Sequence, residues 1–284
     1  MWLEALVAFA VCGATLALLL RFRARLPMDH PNARSLHATP TPRIGGLGMI
    51  AGVAAAQSLA DAVPWPPLIG AAALALLSYV DDLRGLSAGL RFGAHFAVAA
   101  GVLWALGVDG WALAPLILAV VWMTNLYNFM DGADGLAGAM AVAGFGALAV
   151  AAGWAGAEPL MTLSLAVAAA AVGFLAFNFP PARLFLGDAG SVPLGFLAAA
   201  IGVAGVRQDA WPGWFPLLAF SPFIVDATLT LLRRLAAGEK VWQAHRTHYY
   251  QRAVRLGLGR RPLAWLACAW MLASAALALA LLAR

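Results

Sequence analysis

The sequence predicts an all-α integral membrane protein of about ten transmembrane helices, and three observations carry that reading. Of the 284 residues, 63% are hydrophobic and 11% are charged, against roughly 45–50% and 25% in a soluble domain. The mean hydropathy is +0.84. The apolar residues come in Ala-, Leu- and Gly-rich runs of about twenty, the length a helix needs to cross hydrocarbon, and not in the roughly ten-residue alternation of barrel strands. Disorder is excluded, because its composition is the reverse of this one. Residues 1–284 read as one domain without a linker or internal repeat.

The first run, 2–20, holds Glu4 as its one charge, and the basic cluster Arg21, Arg23 and Arg25 follows it instead of preceding it. That order marks a retained span, not a cleaved signal peptide. Nine further runs follow at 44–60, 67–80, 92–107, 111–124, 136–153, 159–177, 192–206, 213–232 and 263–282. Several are short for a perpendicular span, so fused or re-entrant segments fit the pattern too. With the loop after the first run placed in the cytoplasm and the rest alternating, sixteen of the 18 Lys and Arg residues fall inside, and Arg207 and Arg284 fall outside. Positive residues favour the cytoplasmic side, so both termini are expected outside the cell. The net charge of +5 therefore reports orientation, and no nucleic acid partner is expected. Cys12 and Cys268 lie deep in apolar runs without metal-ligand spacing.

The same assignment puts 29–46, 81–91, 125–135, 178–191 and 239–252 on the cytoplasmic side, and these segments hold every His except His95. The outer loops are short and chemically bare, so a binding face is expected at the cytoplasmic membrane boundary. Asp81 and Asp82 close the third run, where the negative end of a helix dipole disfavours paired carboxylates. A divalent cation, or Arg84 and Arg91, would offset them. In Asn125-Leu-Tyr-Asn128-Phe-Met-Asp131-Gly-Ala-Asp134-Gly, polar groups recur every third position, with Gly132 and Gly135 expected to break the helix. Asn128 offers a neutral oxygen ligand; Asp131 and Asp134 suit a metal or the hydrogen-bond donors of a nucleotide. In Asn178-Phe-Pro-Pro-Ala-Arg183-Leu-Phe185-Leu-Gly187-Asp188-Ala-Gly-Ser191, Ser191 reads as the cap of the next helix with Pro193 in its first turn. That places backbone amides beside Asp188, where phosphate oxygens and their metal bind well. Asp29-His30-Pro31-Asn32 through His37, Arg43, Gly45 and Gly46 forms a basic loop, and His245 and His248 are expected on one helical face with Arg252 a turn beyond. Within the apolar runs, His95 reads as a hydrogen-bonded core histidine, whereas Asp226 is costly enough in a membrane to be of functional interest.

Taken in order, Asp-His-Pro-Asn…Pro-Thr-Pro-Arg-Ile-Gly-Gly, Asp-Asp, Asn-Phe-Met-Asp-Gly-Ala-Asp-Gly-Leu-Ala, Phe-Asn-Phe-Pro-Pro-Ala-Arg…Leu-Gly-Asp-Ala-Gly-Ser and His-Arg-x-His closely resemble the polyprenyl-phosphate N-acetylhexosamine-1-phosphate transferases of glycosyltransferase family 4. The resemblance covers residues 29 to about 252. It implies a multi-pass enzyme of the bacterial cytoplasmic membrane. The implied reaction transfers a sugar-1-phosphate from a UDP-N-acetylhexosamine to undecaprenyl phosphate, releases UMP, and depends on Mg2+, with Mn2+ as an alternative. On that resemblance Asp188 and Asn128 are metal ligands, and Asp81, Asp82 and Asp188 are catalytic. Asp131, Asp134, Phe185 and Asn178 would hold the nucleotide, and Arg43, Arg91, Arg246 and His248 the phosphates. Membrane lipid is an expected partner, and a homodimer is compatible with the reading.

Three departures from the family pattern narrow the expectation. Tyr250 and Gln251 stand where later histidines of the last motif usually do, Arg91 replaces a lysine, and the last cytoplasmic loop is short. A GlcNAc-type donor, as in the initiation of an O-antigen, is favoured over a peptide-bearing sugar. Two rival readings fit the sequence less well. An intramembrane prenyltransferase would need its Asp-x-x-Asp pair twice, and only Asp131 and Asp134 have that spacing; a transporter would place its polar groups near the midplane, often in repeated halves.

Overall fold

In a computed structural model the structure describes residues 1–22, 26–31, 39–240 and 245–284. Arg23, Arg25, Asn32, Arg34 and His37 lie outside the described residues. The described chain is helical apart from one small ribbon: α1 (Trp2–Arg21), β1 (Met28–Asp29), β2 (Thr41–Pro42), α2 (Gly45–Gln57), α3 (Trp65–Arg84), α4 (Ala88–Ala105), α5 (Leu113–Met130), α6 (Leu136–Trp154), α7 (Glu158–Asn178), α8 (Asp188–Arg207), α9 (Trp214–Ala219), α10 (Ser221–Ala236), α11 (Tyr249–Arg255) and α12 (Arg260–Leu282). The strands pair antiparallel, Met28 opposite Pro42 and Asp29 opposite Thr41.

Eight of the helices among the described residues are long and apolar enough to cross a membrane, which makes this a multi-pass membrane protein. Two expected spans depart from that length. The run at 44–60 yields the 13-residue α2, about 20 Å long at 1.5 Å per residue, short of the ~30 Å hydrocarbon layer. The run at 213–232 is divided at Phe220 into α9 and α10. Pro216 and Pro222 carry no N–H for a continuous ladder, and Pro222 is tolerated because it sits in the first turn of α10.

The most buried helices are α6 and α8, with α8 packed on α3 and α5, and α6 on α7 and α12. The outer helices show Leu, Trp and Phe side chains, among them Leu6, Leu76, Trp104 and Trp265. Such surface is at home only in lipid.

The start of α8 corrects the expected cap. The cap residue is Gly187, at φ +75°, and Asp188 opens the helix. A left-handed φ is available to glycine at little cost, so the chain turns there, four residues before Ser191. Pro193 consequently lies inside the helix. The Ser191 hydroxyl instead donates to the Asn128 side-chain oxygen at 2.7 Å and lies 3.3 Å from the Gly187 carbonyl.

The helix α2 begins against that same turn. Gly45 N–H donates to the Phe185 carbonyl and Gly46 N–H to the Leu186 carbonyl, both at 2.8 Å, and Phe185 N–H returns a bond to the Pro42 carbonyl at 2.8 Å. A β-carbon at Gly46 would come within 2.5 Å of the Gly190 nitrogen, whereas one at Gly146 in α6 would meet nothing within 4 Å. The substitution Gly46→Ala is therefore expected to cost about 1–3 kcal/mol by overpacking, and Gly146→Ala to be neutral or to stabilise by about 0.5–1 kcal/mol. Thermal unfolding of the two variants in detergent, compared with the native protein, checks this.

Candidate functional site

The ends of four helices and the tail before α11 enclose a cavity of about 400 Å³. Asp81 of α3, Arg91 and His95 of α4, Asn125 and Asn128 of α5, Asp188 of α8, His245 and His248 of the tail, and Gln251 of α11 all line it. Asn125 and Asn128 share a face because α5 stays helical through Met130, three residues being close to one turn. Gly132 and Gly135 fall in the break before α6, as expected.

The splice between 42–46 and 185–190 sets the acidic centre. It brings Arg43 and Phe185 into a backbone bridge and places the Arg43 Nη2 3.0 Å from Asp188 Oδ1. Burial works against the Arg43 charge, but the carboxylates of Asp188, Asp29, Asp82 and Asp131 outweigh it and raise the guanidinium pKa. Burial, reinforced by the Asp188 charge and by Asp29, pushes Asp131 up to about 7, against the opposing pull of Arg43 and a Gly187 hydrogen bond. Four carboxylates around one arginine carry more negative charge than that arginine neutralises.

At the end of α3 the two aspartates have different fates. Asp81 Oδ2 pairs with Arg91 Nη1 at 2.9 Å, and its Oδ1 accepts the Leu86 N–H at 2.6 Å. Arg91 is thus the counter-charge to the Asp-Asp pair, and in this structure it holds Asp81. Asp82 lies within electrostatic reach of Asp188 and Arg43.

Two residues expected at the nucleotide make bracing contacts in this structure. Asn178 Oδ1 accepts the Gly135 N–H and its Nδ2 donates to the Leu184 carbonyl, both at 2.9 Å. Asp134 Oδ2 accepts the Ala182 N–H at 3.1 Å and lies 3.8 Å from Arg260 Nη1. Neither lines the cavity, because each is spent on joining the 131–136 break to the 178–185 loop. Phe185 contributes the backbone bonds already described, and Arg246 is exposed on the tail.

The tail is anchored from α10. Asp226, 4% exposed, accepts the Tyr249 N–H at 2.9 Å and the Tyr250 N–H at 3.0 Å, faces His248 Nδ1 at 3.2 Å, and takes the Thr230 hydroxyl at 3.2 Å. His248 caps α11, with the Gln251 side chain accepting its N–H at 3.3 Å. His245 precedes the helix, so the two histidines do not share a helical face, yet their rings are 4.9 Å apart. Burial, then the neighbouring His248 and Arg234, push His245 down to about 4, leaving it neutral at pH 7. The Tyr250 hydroxyl donates to the Phe129 carbonyl at 3.2 Å and ties the tail to α5. His95 is hydrogen-bonded, as expected of a core histidine, but its Nδ1 faces Asn125 Nδ2 at 3.3 Å in the cavity wall. Sequence reasoning placed neither Asn125, Gln251 nor Asp226 at the site. The Asn125–Asn128 spacing carried the signal for the first, and the cost of a carboxylate in an apolar run marked Asp226 as of interest without naming its partners; no local signal existed for Gln251.

Residues 65–206 match the family model described as glycosyl transferase family 4. A probable undecaprenyl-phosphate N-acetylglucosaminyl 1-phosphate transferase of Bacillus subtilis is 30% identical over 90% of this chain and 78% of its own length. A decaprenyl-phosphate N-acetylglucosaminephosphotransferase of Mycobacterium leprae is 30% identical over 92% of this chain and 81% of its own. A phospho-N-acetylmuramoyl-pentapeptide-transferase of Geobacillus thermodenitrificans is 33% identical over 51% of this chain and 44% of its own. The long matches span the cavity, both helix N-termini of the splice and the tail, and the chain belongs to glycosyl transferase family 4 as a membrane-embedded glycosyl-1-phosphate transferase.

Proposed function

We propose that this enzyme transfers N-acetylhexosamine-1-phosphate, of the GlcNAc type, from a UDP-sugar to undecaprenyl phosphate at the cytoplasmic face of a bacterial inner membrane. UMP leaves, and the product initiates a lipid-linked envelope glycan such as an O-antigen. The observation that carries the reading is Asp188 at the first turn of α8, paired with Arg43 at the start of α2 and opening onto a polar cavity at the membrane boundary. Two long relatives named for N-acetylglucosamine 1-phosphate transfer favour this sugar over the muramoyl pentapeptide. The basic residues clustered on the cavity side favour the cytoplasmic face, with both termini outside.

The donor set fits Mg2+. It is made of oxygens from Asp188, Asn128 and Asp131, with Asp82 nearby, and hard oxygen ligands suit this ion. Among the described residues no three Asp, Glu, His or Cys side chains form a metal-sized group, so substrate phosphate and water would have to supply the rest of the shell. When bound, Mg2+ would neutralise the diphosphate and stabilise the leaving UMP.

The chain's own groups supply the rest. The N-terminus of α8 and Arg43 favour phosphate oxygens. With Asp81 engaged by Arg91 and the Leu86 amide, Asp82 is the carboxylate left to orient the attacking lipid phosphate or take its proton. An oxygen of that phosphate forms a bond to the sugar-bearing phosphorus as the pyrophosphate bond to UMP breaks. A carboxylate accepting from His248 Nδ1 fixes the proton on that nitrogen and leaves Nε2 as the ring's other polar atom, within the cavity lining.

The purified enzyme is expected to release UMP from UDP-GlcNAc when both undecaprenyl phosphate and Mg2+ are present, and to stop on chelation. Metal-independent release, or release without lipid phosphate, would overturn the mechanism. The variant Asp188→Asn is expected to lose about a hundredfold or more in kcat, read in the same assay. Asp226→Ala would leave two amides and a histidine without their acceptor; a loss of about 2–3 kcal/mol in stability is expected, together with a raised KM for the UDP-sugar, checked by thermal unfolding and steady-state kinetics.

A further inference from the structure

Two polar residues of the cavity take no part in the chemistry above. His95 of α4 and Asn125 of α5 both line it, and His95 is 7% exposed. Their hydrogen bonds fix which atoms are left for a ligand. Asn125 Nδ2 lies 2.7 Å from the Val121 carbonyl and 3.3 Å from His95 Nδ1. A carbonyl can only accept, so it is the amide nitrogen of Asn125 that faces Val121, and the second N–H of that nitrogen is directed at His95. His95 Nδ1 therefore accepts, which makes the ring neutral and puts its proton on Nε2.

One donor and one acceptor remain, His95 Nε2–H and Asn125 Oδ1. Neither has a hydrogen-bond partner among the described residues, and neither is sealed off from solvent. They open onto the cavity that both residues line, and a ligand that satisfies them must both accept and donate. An ionised phosphate oxygen only accepts and would leave Oδ1 unpaired. A trans acetamido group points its N–H and C=O in opposite directions, so it meets one of two neighbouring atoms. A hydroxyl accepts and donates through a single oxygen.

The place of the pair selects the hydroxyl. Asn125 is three residues before Asn128 in α5, and His95 is four residues after Arg91 in α4. Both therefore lie one turn, about 5 Å, farther from their helix ends than the charged end of the cavity. A donor whose diphosphate sits at Asn128 and Asp188 is joined to it through C1 of the sugar, and the ring position opposite C1 is C4. Resting on the transferase reading above, we propose that His95 and Asn125 form the subsite for the 4-hydroxyl of the donor sugar, His95 donating to it and Asn125 accepting from it, and so help determine which hexosamine is used.

Steady-state UMP release by the full-length enzyme, with undecaprenyl phosphate, Mg2+ and either UDP-GlcNAc or its 4-deoxy analogue, tests this. The native enzyme is expected to use the analogue roughly tenfold to a hundredfold less well in kcat/KM, the factor that an enclosed donor and acceptor left unpaired would cost. His95→Leu and Asn125→Leu should each bring the ratio between the two donors towards one. Equal use of both donors by the native enzyme would overturn the subsite without recourse to any variant, while leaving the transferase reading intact. A loss confined to the 3-deoxy or 6-deoxy analogue would put another hydroxyl at the pair and overturn the assignment. So would a donor ratio that survives in both variants, or a variant effect confined to the KM for undecaprenyl phosphate. No release from UDP-GlcNAc itself would instead overturn the transferase reading, and the subsite with it.

Discussion

The structure depends on a backbone splice between two segments far apart in the chain. Helix α2 starts with N–H groups that have no intrahelical acceptor, and the carbonyls of Phe185 and Leu186 satisfy two of them. In return Phe185 donates to Pro42. The consequence is that the N-terminus of α2 and that of α8 lie side by side, with Gly46 against Gly190 and no room for a side chain between them. Two positive helix ends and Arg43 then share one place, and Asp188 sits within it. Shifting either segment would separate a charge pair that spans 145 residues of sequence.

That arrangement is electrostatically incomplete. Arg43 is half-buried among Asp188, Asp131, Asp82 and Asp29, and Asp131 is raised by its burial first and by the Asp188 charge second. A diphosphate alone would worsen the repulsion. A diphosphate arriving with a divalent cation would relieve it, since the cation offsets the carboxylates while the helix termini and Arg43 meet the phosphate oxygens. The imbalance therefore argues for a substrate that brings its own counter-ion.

Much of this was legible in the sequence, and the limits have physical reasons. Hydropathy located the helices because lipid demands apolar runs of a set length. Proline positions, more than hydropathy, explain why 213–232 is two helices. The acidic and amide residues of the site were all visible, but their individual duties were not. Asn178 and Asp134 look like ligands by type, and only the Gly135 and Ala182 amides, 43 and 48 residues away, show that they brace loops. Ser191 is a good capping residue by chemistry, but the glycine before Asp188 reaches the required backbone angle first. Arg91 is readable as either a phosphate ligand or the partner of the Asp-Asp pair, and in this structure it lies 2.9 Å from Asp81.

Asp226 shows the same limit from the other side. A carboxylate within an apolar helix gives no local clue to its partner, because the amides it accepts are more than twenty residues on. Helix α11 has seven residues, too few to hold together on its own propensity. Its first turn is stabilised instead by Asp226 and by the reciprocal bonds of His248 and Gln251. Because the same carboxylate also takes His248 Nδ1, the ring cannot rotate without giving up a buried hydrogen bond. The cost of placing a charge in α10 is thus tied to the site itself: it converts a short tail that could not order itself into a fixed wall of the cavity, facing Asp188 across it.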